Sequence, residues 1–139
     1  MEYGCSVQLK HVAAIGFART RDSCREVFKS MEIMTLYSQY ICSLVLYTIN
    51  NKHLFDTNNE IHKYKTRNNN NLHLPMANLS KFNKGAYISG IKVFNHLPKY
   101  IKALTNDHKY FKSTMKRFLY HHSFYSMNEY YECKEDRRI

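Results

Sequence analysis

The chain has 139 residues, 44% of them apolar, and a formal net charge of +10. Twelve Tyr and eight Phe exclude a disordered composition, because they supply enough apolar surface for one core. Four Gly and two Pro are too few for the corners of an all-β sandwich.

The expectation is therefore a mainly α, small irregular helical domain over residues 1–132, with a frayed charged tail at 133–139. Residues 7–18 (VQLKHVAAIGFA) carry Val12, Ile15 and Phe17 with Gly16 as the breaker, and predict a first helix. Ser23-Cys24-Arg25-Glu26 has the capping-box spacing, in which serine and glutamate satisfy two backbone amides reciprocally. It predicts a helix over 23–31 with Val27, Phe28 and Met31 on one side. Residues 35–50 give the strongest helical pattern, with Tyr37, Ile41, Leu44, Val45 and Thr48 on a face flanked by Tyr40 and Tyr47. So wide an apolar face predicts burial on more than one side, and Asn50-Asn51 ends the helix.

From 52 to 85 regular periodicity is lost. Two short apolar pieces, Leu72 to Met76 and Leu79 to Phe82, can pair as a short β-hairpin around residues 72–82. Helix returns over 86–97, where Tyr87, Ile91, Phe94 and Leu97 share one face. Pro98 then restarts a short helix, 99–104. The next helix, 107–121, has Asn106 or Asp107 to cap it. It sets Phe111, Met115, Phe118 and His122 against a stripe of Lys109, Lys112 and Lys116. Ser126-Met127-Asn128-Glu129 forms a second capping box and opens a last helix through Tyr130 and Tyr131.

The charge is unevenly placed. Residues 61–125 hold twelve Lys and Arg against one acid, Asp107, whereas residues 1–60 are balanced. A basic middle favours a polyanionic partner, since each cation set on a phosphate releases counterions. Two-metal phosphoryl transfer needs clustered carboxylates, and one acid in that stretch argues against it. Gly85 and Gly90 have the spacing of a phosphate loop, but Ile91 stands where the lysine should follow.

The four cysteines, Cys5, Cys24, Cys42 and Cys133, form no C-x-x-C pair, which fits reduced thiols inside a cell. The start MEYGC lacks a basic n-region, and the apolar run Leu36 to Ile49 is too short to span a bilayer, so no membrane is expected. His121, His122 and Cys133 are the best zinc cluster, but adjacent histidines point about 100° apart on a helix. No metal and no cofactor are therefore expected. A Cys-His nucleophile from Cys24 or Cys42 has no local support either.

What remains is non-catalytic binding. Lys63, Lys65 and Arg67 alternate with Tyr64 and Thr66 in an irregular segment, where cations can contact phosphates and an aromatic face can stack a base. Lys109, Lys112 and Lys116, with Arg117 beside them, can lie along a nucleic-acid backbone.

Four blocks occur in a fixed order: RDSCREVFKSMEIMTLYSQYI, IHKYKTRNNNNLHLP, YISGIKVFNHLPKYIK and FKSTMKRFLYHHSFYSMNEYYE. Together, over roughly residues 9–132, they resemble the C-terminal region of the reverse transcriptase of Jockey-like non-LTR retrotransposons. In that family the stretch lies downstream of the polymerase palm, around and beyond the thumb. The resemblance implies a helical accessory region that helps handle the RNA template and the DNA target. It transfers no active site, because the family's Tyr/Phe-x-Asp-Asp motif belongs upstream and Asp-Asp is absent here. The family's opening helix is richly basic, whereas LKHVAAIGFART has only Lys10 before Arg19, which weakens a nucleic-acid contact by that helix.

The leading expectation is a non-catalytic remnant of such a reverse transcriptase, an RNA or DNA binder and not an enzyme. An interaction fragment that self-associates or docks on a related full-length reverse transcriptase is the alternative. A decayed reading frame without a selected role, suggested by the start at Met1, is the third.

Overall fold

The computed structural model describes residues 24–62, 64, 67, 68, 70–76 and 78–133. The helix expected over 7–18, the capping residue Ser23, and tail residues 134–139 lie outside them. The described residues are mainly helical: α1 (Arg25–Ser30), α2 (Leu36–Asn50), a 3-10 turn (Lys52–Leu54), α3 (Asn58–Ile61), α4 (Ser80–Asn83), α5 (Ala86–His96), α6 (Lys99–Lys102), α7 (His108–His122) and α8 (Met127–Glu132). They fall into two compact units, one of residues 24–42 with 108–133, the other of residues 43–107.

In the first unit, α1 buries Phe28 and Cys24 with Val27 and Tyr125 packed on them. Met31, expected beside Phe28, is 40% exposed. The helix has already turned away there. Glu32 adopts a φ of 50°, its amide bonds the Lys29 carbonyl, and the next amide, of Ile33, bonds the Phe28 carbonyl. This double closure is the Schellman stop.

Thr35 starts α2. It is buried, takes the Ser38 amide on its hydroxyl oxygen and donates that hydroxyl to the Phe124 carbonyl. At the other end of this unit, Ser126 accepts the Glu129 amide as the capping box requires. The Glu129 carboxylate reaches past Ser126 to the Tyr125 amide and is paired with Arg25 at 3.1 Å. Arg25 also lies over the Tyr125 ring, 4.7 Å from its centroid. Phe124 packs edge-on to Tyr130, which is 1% exposed; burial pushes the Tyr130 phenol well above its ordinary range.

In the second unit, Leu44, Val45 and Thr48 of α2 and Ile88, Ile91 and Val93 of α5 are buried. A Cβ on Gly90 would sit 2.6 Å from Thr48 Oγ1, so that glycine is what lets the two backbones approach. Thr48 satisfies its hydroxyl on the Leu44 carbonyl one turn back. Phe55 stacks on Tyr87 at 4.8 Å, and the Tyr87 hydroxyl donates to the Leu54 carbonyl.

The hairpin expected around 72–82 does not form. Among the described residues there is no strand; Leu72 makes an isolated antiparallel bridge with Thr57, and residues 80–83 form the helical turn α4. The reason is a side-chain clamp. Asn95 of α5 accepts the Leu72 amide and donates to the Leu72 carbonyl, both at 2.8 Å, so a buried backbone is satisfied without a second strand.

Candidate nucleic-acid interface

Helix α7 builds the better-defined face. Phe111, Met115, Phe118 and Leu119 recur at helical spacing and are all buried, which anchors one side of the helix to the core. Its first and last cations, Lys109 and Arg117, are exposed, as is Lys112; Lys116 is half-buried. The helix contains no acid. The ion pairs Arg25–Glu129 and Lys29–Glu26 both lie outside α7.

Seven residues of helix rise about 10 Å, so Lys109 to Lys116 lie within roughly one Debye length and their fields add. That field reaches inward as well. The buried Cys42 thiol is pushed up by desolvation, while Lys116 and Lys112 pull it the other way. Like charges three and four residues apart disfavour the isolated helix by a few tenths of a kcal/mol. The buried apolar face must offset that.

Tyr110 was not among the expected site residues. It is 66% exposed, and on a helical projection it falls about 20° from Arg117. The available signal was its place just outside the apolar stripe, next to Phe111, where a ring gains nothing from the core.

The strip at 62–75 belongs to the other unit. Lys63 and Lys65 lie outside the described residues, Tyr64 is 81% exposed, and Arg67 is exposed. Asn68 and Asn71 are held by specific bonds. Asn58 Nδ2 donates to the Asn68 carbonyl and the Asn58 amide to the Asn71 carbonyl, while Lys102 Nζ donates to Asn71 Oδ1 and to the Asn95 carbonyl. Helix α3, which precedes the strip, is capped by Thr57, whose amide and hydroxyl both donate to Glu60. Those bonds hold the Glu60 carboxyl below its ordinary value.

As for the chemistries the sequence argued against, Cys24 and Cys42 are buried, 4% and 7% exposed. His122 Nδ1 lies 3.8 Å from Cys133 Sγ, while His121 is on the exposed side. Among the described residues no group of three or more His, Cys, Asp or Glu is placed to hold a metal ion. No described helix is long and apolar enough to cross a membrane.

Compared with known proteins, the chain matches no family model, no curated protein and no solved structure.

Proposed function

We propose that the chain is a non-catalytic relative of the C-terminal region of a Jockey-like retrotransposon reverse transcriptase, and that it binds RNA or DNA through the cationic face of α7. The observation that carries the binding is the division of α7: apolar residues buried on one side, Lys109, Lys112, Lys116 and Arg117 on the other, with no acid in the helix. Phosphate contacts made this way are sequence-independent and salt-sensitive. The origin rests on the four ordered blocks; the first contains α1, the third runs from Tyr87 in α5 through α6, and the fourth from Phe111 in α7 through α8.

The test is filter binding of labelled single-stranded and duplex oligonucleotides at two salt concentrations. Four phosphate contacts predict a log–log salt slope of about −3 to −4. Absence of binding at low salt defeats the reading. Incubation with magnesium, template, primer and nucleotides should give no extension product.

A second reading is supported by a separate observation. Leu74, Met76, Leu79 and Phe82 are 43%, 97%, 73% and 52% exposed, an apolar group in the second unit. Exposed apolar residues in such numbers favour self-association or docking on a related full-length reverse transcriptase. Size-exclusion chromatography across a concentration series separates the readings. A monomer throughout counts against self-association and leaves α7 binding intact.

A further inference from the structure

We infer that Cys133 and His122 form a thiol–imidazole pair, and that Cys133 is a modification site that takes small soft electrophiles, low-molecular-weight disulfides being the biological class. The two residues come from different helices. His122 is the last residue of α7, and Cys133 directly follows α8, where its amide bonds the Glu129 carbonyl at 3.0 Å. This fold places the sulfur 3.8 Å from Nδ1.

The imidazole is held in that orientation by its neighbours. It stacks parallel to Phe124, with ring centroids 5.3 Å apart and planes 7° apart, and lies tilted against Phe118 at 4.6 Å. A nucleophile beside a base that a third group orients is the arrangement that activates a thiol. An imidazolium is also favoured at the C-terminus of a long helix such as α7. The carbonyls ending α8 oppose a thiolate at Cys133, so the adjacent cation is what the thiolate depends on. Tyr130 of α8, whose phenol Cys133 helps to raise, and His121 of α7, 5.0 Å from the His122 ring, are titratable neighbours of the pair.

Position also separates Cys133 from the other described cysteines. Cys24 and Cys42 are buried, whereas Cys133 is partly exposed. A reagent can therefore reach Cys133 in the folded chain.

The reaction balances without any further oxidant. The Cys133 thiol gives its proton to His122 Nδ1, and the thiolate attacks one sulfur of the incoming disulfide. A new S–S bond forms as the old one breaks, and the departing thiolate takes the proton back from the imidazolium. The product is a mixed disulfide on Cys133 and one free small thiol.

The experiment alkylates the full chain with iodoacetamide, natively and in concentrated urea, and reads each cysteine's rate by peptide mass spectrometry. Native Cys133 should react about ten-fold faster than in urea, while Cys24 and Cys42 react more slowly than in urea and so report the fold. His122→Phe keeps an aromatic ring beside Phe124 and removes Nδ1; it should abolish the Cys133 excess with Cys24 and Cys42 still protected. If that variant loses their protection, His122→Gln is judged by the same two criteria. Oxidised glutathione should place its mixed disulfide on Cys133 ahead of the buried pair. A native Cys133 rate no higher than in urea, or an excess that survives loss of the imidazole in a folded variant, overturns the assignment.

Discussion

Helices α2 and α7 have the same length, fifteen residues each, and opposite surfaces. Helix α2 contains no charged residue and buries Ser38, Ile41, Cys42, Leu44, Val45 and Thr48, an arc of about 160° at 3.6 residues per turn. Helix α7 carries four cations and three histidines and buries Phe111, Met115, Phe118 and Leu119, an arc of about 100°. The contrast teaches what each helix is built for. Helix α2 uses nearly half of its circumference for the fold, so the polar side chains on that arc must be satisfied internally. Helix α7 uses a narrow stripe for the fold and leaves a cationic face to water.

The comparison is most easily broken on α7 itself. Phe111→Ala should cost about 3–5 kcal/mol in denaturant unfolding, since the ring is 0% exposed and truncation leaves a cavity. Replacing Lys109, Lys112 and Lys116 together by Ala should change stability by less than about 0.5 kcal/mol per site and lower the nucleic-acid salt slope by about 2–3. A large loss of stability in the triple variant would mean that the lysine stems belong to the core. The division between the two faces would then be wrong.

Next in size is the wide burial of α2. Gly90→Ala should destabilise by about 1–3 kcal/mol, although alanine is the better helix former, because its Cβ meets Thr48 Oγ1 at 2.6 Å. Adding Thr48→Ala removes that hydroxyl and should recover part of the loss. The coupling is measured as a double-mutant cycle in urea. Additive losses would show that Gly90 and Thr48 do not limit each other.

A pH titration probes the buried polar chemistry beside α7. Tyr130 has its phenol raised by burial first, then by Tyr131 and Cys133. A raised folded value means that the stabilising contribution is complete below the unfolded value near 10 and is lost as pH rises above it. Unfolding free energy should therefore fall above about pH 10, by at most about 1.4 kcal/mol per pH unit from this group. Tyr130→Phe should flatten that slope.

How much of this was legible follows from the range of the forces. The spans expected at 35–50, 86–97 and 107–121 match α2, α5 and α7 to within a residue or so, because periodic burial is written locally. Pro98 marked α6 for the same reason. The hairpin failed because the partner that satisfies Leu72 is Asn95, twenty-three residues on, and no local pattern announces a side-chain clamp at that distance. The cations of α7 were readable as a stripe, and their exposed face follows from the apolar stripe opposite. Tyr110 was not singled out, although its neighbour Phe111 was. His121, His122 and Cys133 were grouped from the sequence only as possible zinc ligands; that His122 meets Cys133 depends on the turn and α8 that bring them together.

The smallest expected effect separates two residues with left-handed backbone. Glu32 closes α1 at φ 50°, and Ser123 follows α7 at φ 45°. Glycine relieves the Cβ strain of that region by about 1 kcal/mol. The Glu32 side chain is exposed, so Glu32→Gly should stabilise by about 0.5–1 kcal/mol. Ser123 is 1% exposed and donates its hydroxyl to the Tyr120 carbonyl at 2.8 Å. Ser123→Gly gives up that bond, worth about 1 kcal/mol, and should leave stability nearly unchanged. Thermal melts of the two variants in parallel decide it. Equal gains would mean that the Ser123 hydroxyl contributes nothing, and that α7 ends on backbone geometry alone.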